Sequence, residues 1–244
     1  MTGKSELDQS ALTEKICWPT GLSAQLKEQL VNSAKTINTL SNDTRANSDL
    51  VHQGVSYIFE GTLTLCLQTP NLKTINNIVM GKGEWFGNYD PQAGDYAPFF
   101  LTEIEPVTLI HFSMPAIKNL VHNNLETYKW FHSLALATKP KWLQAQIISH
   151  ENIQARVVYF LLELSAHLVF LTGQTPRISI TQQQISRITG ITRQRVNAVL
   201  KSLEKEKLIS LERHSIYLTD IKQLGTKLDG LDLSIRDPRN IIRI

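Results

Sequence analysis

The segment spanning residues 180–218 constrains the fold of this chain more than any other. Thr181 is followed three residues later by Gln184, the spacing of a capping box at a helix start. Ile185 and Ile188 give that short helix an apolar face, and Gly190 supplies a turn. Thr192 stands as the cap of a second helix, in which Val196, Val199, Leu200 and Leu203 recur at i, i+3, i+4 and i+7. That stripe packs inward, so Arg193, Gln194, Asn197 and Lys201 point outward. After Lys207 two apolar runs, 208–211 and 216–218, flank the polar turn 212–215, which reads as a small hairpin. Two short helices around a glycine occur in many helical bundles. Two caps, a complete apolar stripe, a basic outer face and a hairpin in this order instead specify a winged helix-turn-helix, a device that places a helix in the DNA major groove.

The charge distribution agrees. The chain has 244 residues, room for two domains, with 42% hydrophobic and 19% charged residues, as in soluble globular proteins. Its net charge of +3 is unevenly divided: residues 177–244 hold 13 basic and 7 acidic side chains, whereas residues 1–176 hold 12 and 15. A basic C-terminal third suits a nucleic-acid partner. Cys17 and Cys66 are far apart and lack CxxC spacing, so they read as reduced thiols and cannot supply a four-cysteine cluster. The seven histidines show no HxH or HxxxH pairing, and neither a metal nor a haem cofactor is expected. The first residues lack the apolar core of a signal peptide, and the most apolar run, 157–171, is interrupted by Glu163 and His167. It reads as a buried helix, and a cytoplasmic protein without a membrane partner is expected.

Elsewhere the texture is β-rich, then helical. One or two helices are expected around residues 24–36. Residues 57–61 read as a strand ending in a turn, followed by strands at 62–67, 71–80 and 108–112; together they suggest a small barrel or roll. Ser113 opens a helix beginning Met114-Pro115, and helical pattern continues to residue 149. Pro140 predicts a kink or a break there. Asn152 is placed to cap the next helix, 153–169, with 172–177 as the link onward.

A β-rich N-terminal part, a long helix and a winged helix-turn-helix resemble the Crp/Fnr family of bacterial transcription regulators. The resemblance is carried by Ile153-Gln-Ala-Arg156, by Leu161-Leu162-Glu-Leu164 and by the ungapped run 180–209. Tyr57 to Gly61 and Gly83-Glu84-Trp85-Phe86-Gly87 match more loosely, resembling the family's β-roll turn and the opening of its phosphate-binding cassette. The resemblance implies an α+β fold: a β-roll resembling a cyclic-nucleotide-binding domain, a long dimerisation helix near 124–150, and a DNA-binding domain from residue 151 to 244. It also implies a non-enzymatic homodimer on two-fold-related double-stranded DNA, with RNA polymerase as a candidate partner. Phe131, Leu134, Thr138, Trp142, Ala145 and Ile148 form either the dimer seam or the face turned to their own roll.

The family's cyclic-nucleotide binders hold the ribose with a Gly-Glu pair and the phosphate with an Arg-Ser/Thr-Ala run. Here Asn88 replaces the carboxylate, and neither Arg nor Lys lies between Lys82 and Lys118. A buried cyclic phosphate would lack its cation, so cyclic AMP is not expected to bind in that mode. Trp85, Phe86, Tyr89, Tyr96, Phe99 and Phe100 remain, with Asn88, as the walls of a pocket for an apolar or aromatic effector, or else as a filling that leaves no site.

The family's recognition helix begins Arg-Glu and carries Arg four residues after the Glu; this chain has Arg193-Gln194 and then Ala198. Arg193 suits guanine, Gln194 suits adenine, and Ala198 can touch a thymine methyl. An altered palindrome is therefore expected. Thr181, Gln183, Lys201 and Arg213 are candidate phosphate contacts, and Arg195 is either another or merely solvated. Two other classes compete: a cupin-like enzyme or small-molecule binder, which would need a metal cluster or a nucleophile and base, and an interaction module whose helix-turn-helix docks on another regulator.

Overall fold

A computed structural model describes residues 9–40, 44–69, 74–88, 99–168 and 174–242. In chain order the elements are α1 (Gln9–Lys15), α2 (Ala24–Asn32), β1 (Ala34–Ile37), α3 (Thr44–His52), β2 (Gly54–Gln68), β3 (Thr74–Gly81), β4 (Trp85–Gly87) and β5 (Phe99–Ser113). There follow α4 (Met114–Asn123), α5 (Glu126–Ser149), α6 (Ile153–His167), β6 (Arg177–Ile178), α7 (Gln182–Thr189), α8 (Arg193–Lys205), β7 (Ile209–Glu212), β8 (Ser215–Leu218), α9 (Ile221–Thr226) and a 3₁₀ turn, Pro238–Asn240. The N-terminal strands form an antiparallel sheet in the order β1-β5-β2-β3, with β4 also on β2; the C-terminal sheet has the order β6-β8-β7. This is the expected α+β architecture.

The chain forms two compact units, and β2, β5 and α5 each pass from one to the other. The first comprises residues 1–60, 82–96 and 107–138. In it β1 pairs with the second half of β5 (Ala34↔Phe112) and β4 with the start of β2 (Ser56↔Phe86). Ser23 caps α2 by accepting from the Leu26 amide at 3.2 Å, which lets Leu26 and Leu30 turn inward onto an aromatic core. There Trp85 lies 4.8 Å from Tyr57 and 5.6 Å from both Phe112 and Trp130, ring centre to ring centre. Such tilted and edge-on contacts suit the ring quadrupoles.

The second unit comprises residues 61–81, 97–106 and 139–244. The later part of β2 pairs with β3 in the register Leu65↔Ile78. Helix α6 is its centre: Asn152 caps it, accepting from Ala155 N at 2.9 Å, and residues 157–165 are all buried. A helix apolar almost all round must be enclosed, and α7, α8, α9 and β3 pack on it.

Two expectations are corrected. Residues 57–61 and 62–67 are not two strands with a turn between: β2 runs unbroken through Gly61, whose φ of +85° lets the strand bend and continue. Nor does Pro140 divide the long helix. Helix α5 is continuous from Glu126 to Ser149, so Pro140 removes one donor without ending the helix. In the preceding turn Thr138 Oγ1 lies 3.2 Å from the Leu134 carbonyl and 3.3 Å from that of Ala135. The passage of α5 between the two units falls at residues 138 and 139, beside the proline.

Charged groups are buried in the second unit. Glu163 accepts from the Arg236 guanidinium at 2.8 and 3.1 Å and from the Tyr159 hydroxyl at 3.0 Å. Lys141 donates to the Val79 carbonyl at 2.7 Å and lies 3.2 Å from His167 Nε2. Burial, helped by the Lys141 charge, pulls the His167 pKa down to about 3. The unfolded chain takes up this proton near the ordinary histidine value of 6.5, while the folded chain refuses it until far lower pH. The unfolded state therefore binds more protons between these values, and stability falls as pH falls. Urea unfolding should show a loss approaching ~1.4 kcal/mol per pH unit between about pH 6 and about pH 4, a slope that His167→Gln should largely remove.

Candidate nucleic-acid interface

Helix α7 begins at a complete capping box. Gln184 N donates to Thr181 Oγ1 at 3.1 Å, and Thr181 N donates back to Gln184 Oε1 at 2.9 Å. Ile185 and Ile188 are wholly buried, as the spacing predicts. The helix ends at Gly190 in the left-handed conformation, φ +68°. Thr192 then occupies the cap position of α8 with extended backbone, but its side chain makes no capping hydrogen bond, which corrects the expectation of a second side-chain cap. Val196, Leu200 and Leu203 are buried at the base of α8, with Val199 at the margin.

The opposite face of α8 is bare. Arg193, Gln194, Arg195, Ala198 and Lys201 are exposed, and Asn197 is half-buried. Residues 213 and 214 join β7 to β8 in the register Glu212↔Ser215, so the hairpin closes tightly. His214 takes a left-handed φ of +63° there, leaving Arg213 exposed at the tip. Strand β6 extends the hairpin through Arg177↔Tyr217.

These elements bring Thr181, Gln183, Arg193 and Arg213 to the walls of one open groove, with Glu212 and His214 beside them. The other five predicted contacts are carried by α8, which itself borders that groove. Three side chains are less free than the sequence suggests. Asn197 Oδ1 accepts from Gln182 Nε2 at 3.1 Å, which fixes its amide and adds Gln182 to the interface. Lys201 lies 3.1 Å from Glu204, whose other oxygen accepts from Leu211 N. These hydrogen bonds hold the Glu204 carboxyl below the usual carboxylate range, so a phosphate would have to draw Lys201 away from it. The Thr181 hydroxyl is likewise engaged, 2.9 Å from Gln184 Oε1. Gln182 and His214 were not singled out from the sequence; position at a helix start and at a two-residue turn was the signal available for each.

The aromatic pocket residues take other places. In the first unit Trp85 is a core side chain whose indole Nε1 donates to the Cys17 carbonyl at 3.1 Å. Phe86 is 1% exposed. Asn88 Nδ2 donates to the His52 carbonyl at 3.3 Å. In the second unit Phe99 lies 6.0 Å from Trp142, and the Arg187 guanidinium covers the buried Phe100 ring at 4.9 Å. Trp85, Phe86 and Phe100 are thus buried among neighbouring side chains. Tyr89 and Tyr96 lie outside the described residues. Among the described residues no three His, Cys, Asp or Glu side chains gather as a metal site, and no helix is long and apolar enough to cross a membrane.

Residues 155–226 match the Crp-like helix-turn-helix domain family. Several solved structures share the fold over about four fifths of the chain. A Crp/Fnr-family chain from Eubacterium rectale has a TM-score of 0.63 at 17% identity, covering 84% of this chain and 94% of that one. The c-di-GMP-responsive global regulator of Xanthomonas campestris gives 0.60 at 16% identity, covering 80% and 99%. A Crp-family transcriptional regulator from Thermus thermophilus gives 0.57 at 16% identity, covering 81% and 94%. No curated protein sequence matches the chain significantly.

The turn between α7 and α8 is the most sterically demanding point of this interface. A Cβ on Gly190 would lie 2.8 Å from the Thr74 carbonyl oxygen, on top of the left-handed backbone penalty. Gly190→Ala should lower stability by about 1–3 kcal/mol in urea unfolding, and weaken DNA binding beyond what the lost folded fraction explains.

Proposed function

We propose that this chain, which carries a Crp-like helix-turn-helix domain on the fold shared by Crp/Fnr regulators, is a homodimeric, sequence-specific DNA-binding transcription regulator. It is a cytoplasmic, non-enzymatic protein acting on RNA polymerase at a palindromic site, and residues 151–244 are its DNA-reading part. The observation that carries this reading is the exposed polar face of α8, set beside the Arg213 wing tip around one groove. Arg193 and Gln194 stand at the helix start, the end that reaches base edges first. Arg193 offers a bidentate donor to guanine and Gln194 a matched pair to adenine, while Ala198 can only contact a methyl group. Gln183, Arg195, Lys201 and Arg213 hold the backbone.

The dimer is supported by α5. Of the six residues first considered for its seam, Phe131, Leu134 and Ile148 are buried in their own chain, whereas Thr138, Trp142 and Ala145 are half-buried. The outward face instead carries Tyr128, Leu136 and Leu143, exposed by 46%, 52% and 43%. Large apolar side chains left bare along one helix suit a coiled pairing with a second copy. Insensitivity to cyclic AMP is supported by Asn88, whose amide donates to a backbone carbonyl, and by the absence of Arg and Lys from residue 83 to residue 117.

The decisive experiment is selection of genomic fragments by the purified full-length protein without added ligand. It should enrich a palindrome containing guanine and adenine in each half-site; enrichment of no motif would remove the sequence-specific reading. Arg193→Ala should weaken binding to that site by ~1–3 kcal/mol while changing affinity for random DNA little. An equal loss on both would make Arg193 a phosphate contact. Sedimentation should show the double variant Leu136→Glu/Leu143→Glu as a folded monomer; a persisting dimer would place the interface elsewhere.

A further inference from the structure

The first residue of α7 meets the second turn of α8 at the DNA-facing side of the helix pair. Gln182 directly follows the Thr181 cap, where the capping box fixes the helix start, so its side chain leaves α7 from a rigid base. Its Nε2 donates to Asn197 Oδ1 at 3.1 Å, and both side chains are half-buried. Among the described residues no other hydrogen bond engages the Asn197 amide.

An asparagine that reads adenine does two things at once: Oδ1 accepts from the N6 amino group while Nδ2 donates to N7. Here Oδ1 is already given to Gln182. Turning the Asn197 amide over by itself would set its NH₂ against the Gln182 NH₂, two groups that donate and accept nothing. What remains to Asn197 is the donor Nδ2. The residue stands one turn after Arg193 and one turn before Lys201, on the stripe of α8 that those two cations share. All three side chains of that stripe are then donors.

We propose that Gln182 determines the specificity of Asn197: by occupying its carbonyl it makes Asn197 a donor-only contact, directed at a hydrogen-bond acceptor of the DNA. Phosphate oxygens, guanine O6, purine N7 and thymine O4 qualify; the amino groups of adenine and cytosine do not. Gln182 acts through Asn197 and is a positioning residue. This inference rests on the DNA-binding reading and assigns Asn197 a chemical role within it.

The test titrates the full-length protein against its selected site and against random DNA of equal length, at one salt concentration. Asn197→Ala should weaken binding about threefold to tenfold, the worth of one neutral hydrogen bond. Equal loss on both DNAs identifies a phosphate as the acceptor, and loss confined to the selected site identifies a base edge. Asn197→Asp keeps an acceptor for Gln182 but has no donor, and should lose at least as much; wild-type affinity in that variant overturns the proposal. Gln182→Met removes the donor without adding charge and should weaken binding at least twofold, with no further loss in the Asn197→Ala background. A loss that persists in that background makes Gln182 a direct DNA contact and overturns the proposal, as does no loss from Gln182→Met alone. Purine in place of each adenine, and 2-pyrimidinone in place of each cytosine, removes the amino groups in turn. The cost of each replacement should be the same for the wild type and Asn197→Ala. A cost that disappears in Asn197→Ala would show Oδ1 accepting from that base, with both amides reversed, and overturns the proposal. Absence of DNA binding by the wild type removes the regulator reading and this inference together, whereas normal binding with unresponsive variants removes the inference alone.

Discussion

A carboxylate buried on an otherwise apolar helix obliges its surroundings to come to it. Glu163 lies in the middle of α6, 5% exposed, and would be intolerable there without a cation. Arg236 meets it with two hydrogen bonds and Tyr159 with a third. Bringing Arg236 to that point fixes the path of the C-terminal tail. Gln144 of α5 then holds the tail backbone from the other side, donating to Asp232 O at 2.7 Å and accepting from Arg236 N at 3.2 Å. Arg239 completes the fastening through Asp237, Asp229 and the Gly225 carbonyl. One buried charge thereby connects α5, α6, α9 and the tail into a single packed unit. The tail is thereby fastened to its own domain.

The sequence was most informative where the determining contacts are local. The capping box, the α7 and α8 stripes, the left-handed Gly190 and the wing depend on neighbours within a few residues, and each was legible. Thr192 shows the limit: the residue type and backbone position are those of a cap, yet its hydroxyl makes no capping bond. Continuity was harder to read. Gly61 and Pro140 both carry the local marks of interruption, and both sit inside uninterrupted elements, because sheet pairing and helix packing outweigh the loss of one donor or one side chain. On α5 the difficulty was one of rotation. The helix has two apolar stripes, and periodicity alone does not say that Phe131, Leu134 and Ile148 turn inward while Tyr128, Leu136 and Leu143 turn out.

The density of aromatics between residues 85 and 100 left a ligand pocket and a core filling equally open in the sequence, and for a physical reason. Large rings are the most effective fillers of any enclosed apolar space, a core as much as a pocket. Trp85 satisfies its indole N–H on a backbone carbonyl and packs on four other rings, those of Trp18, Tyr57, Phe112 and Trp130, and Phe100 is sealed beneath Arg187.

Helix α7 connects these observations, since its two ends are held in different ways. The N-terminus is secured by Thr181 and Gln184, a reciprocal pair within the helix itself. The C-terminus depends on groups from elsewhere in the unit: Thr74 Oγ1 donates to the Arg187 carbonyl at 2.8 Å, and Arg156 donates to that of Thr189. A helix anchored locally at one end and remotely at the other can be reoriented only by acting on the remote anchors. Gly190 lies so close to the Thr74 backbone that a Cβ there would meet its carbonyl oxygen, so the turn into α8 is held against β3 as well.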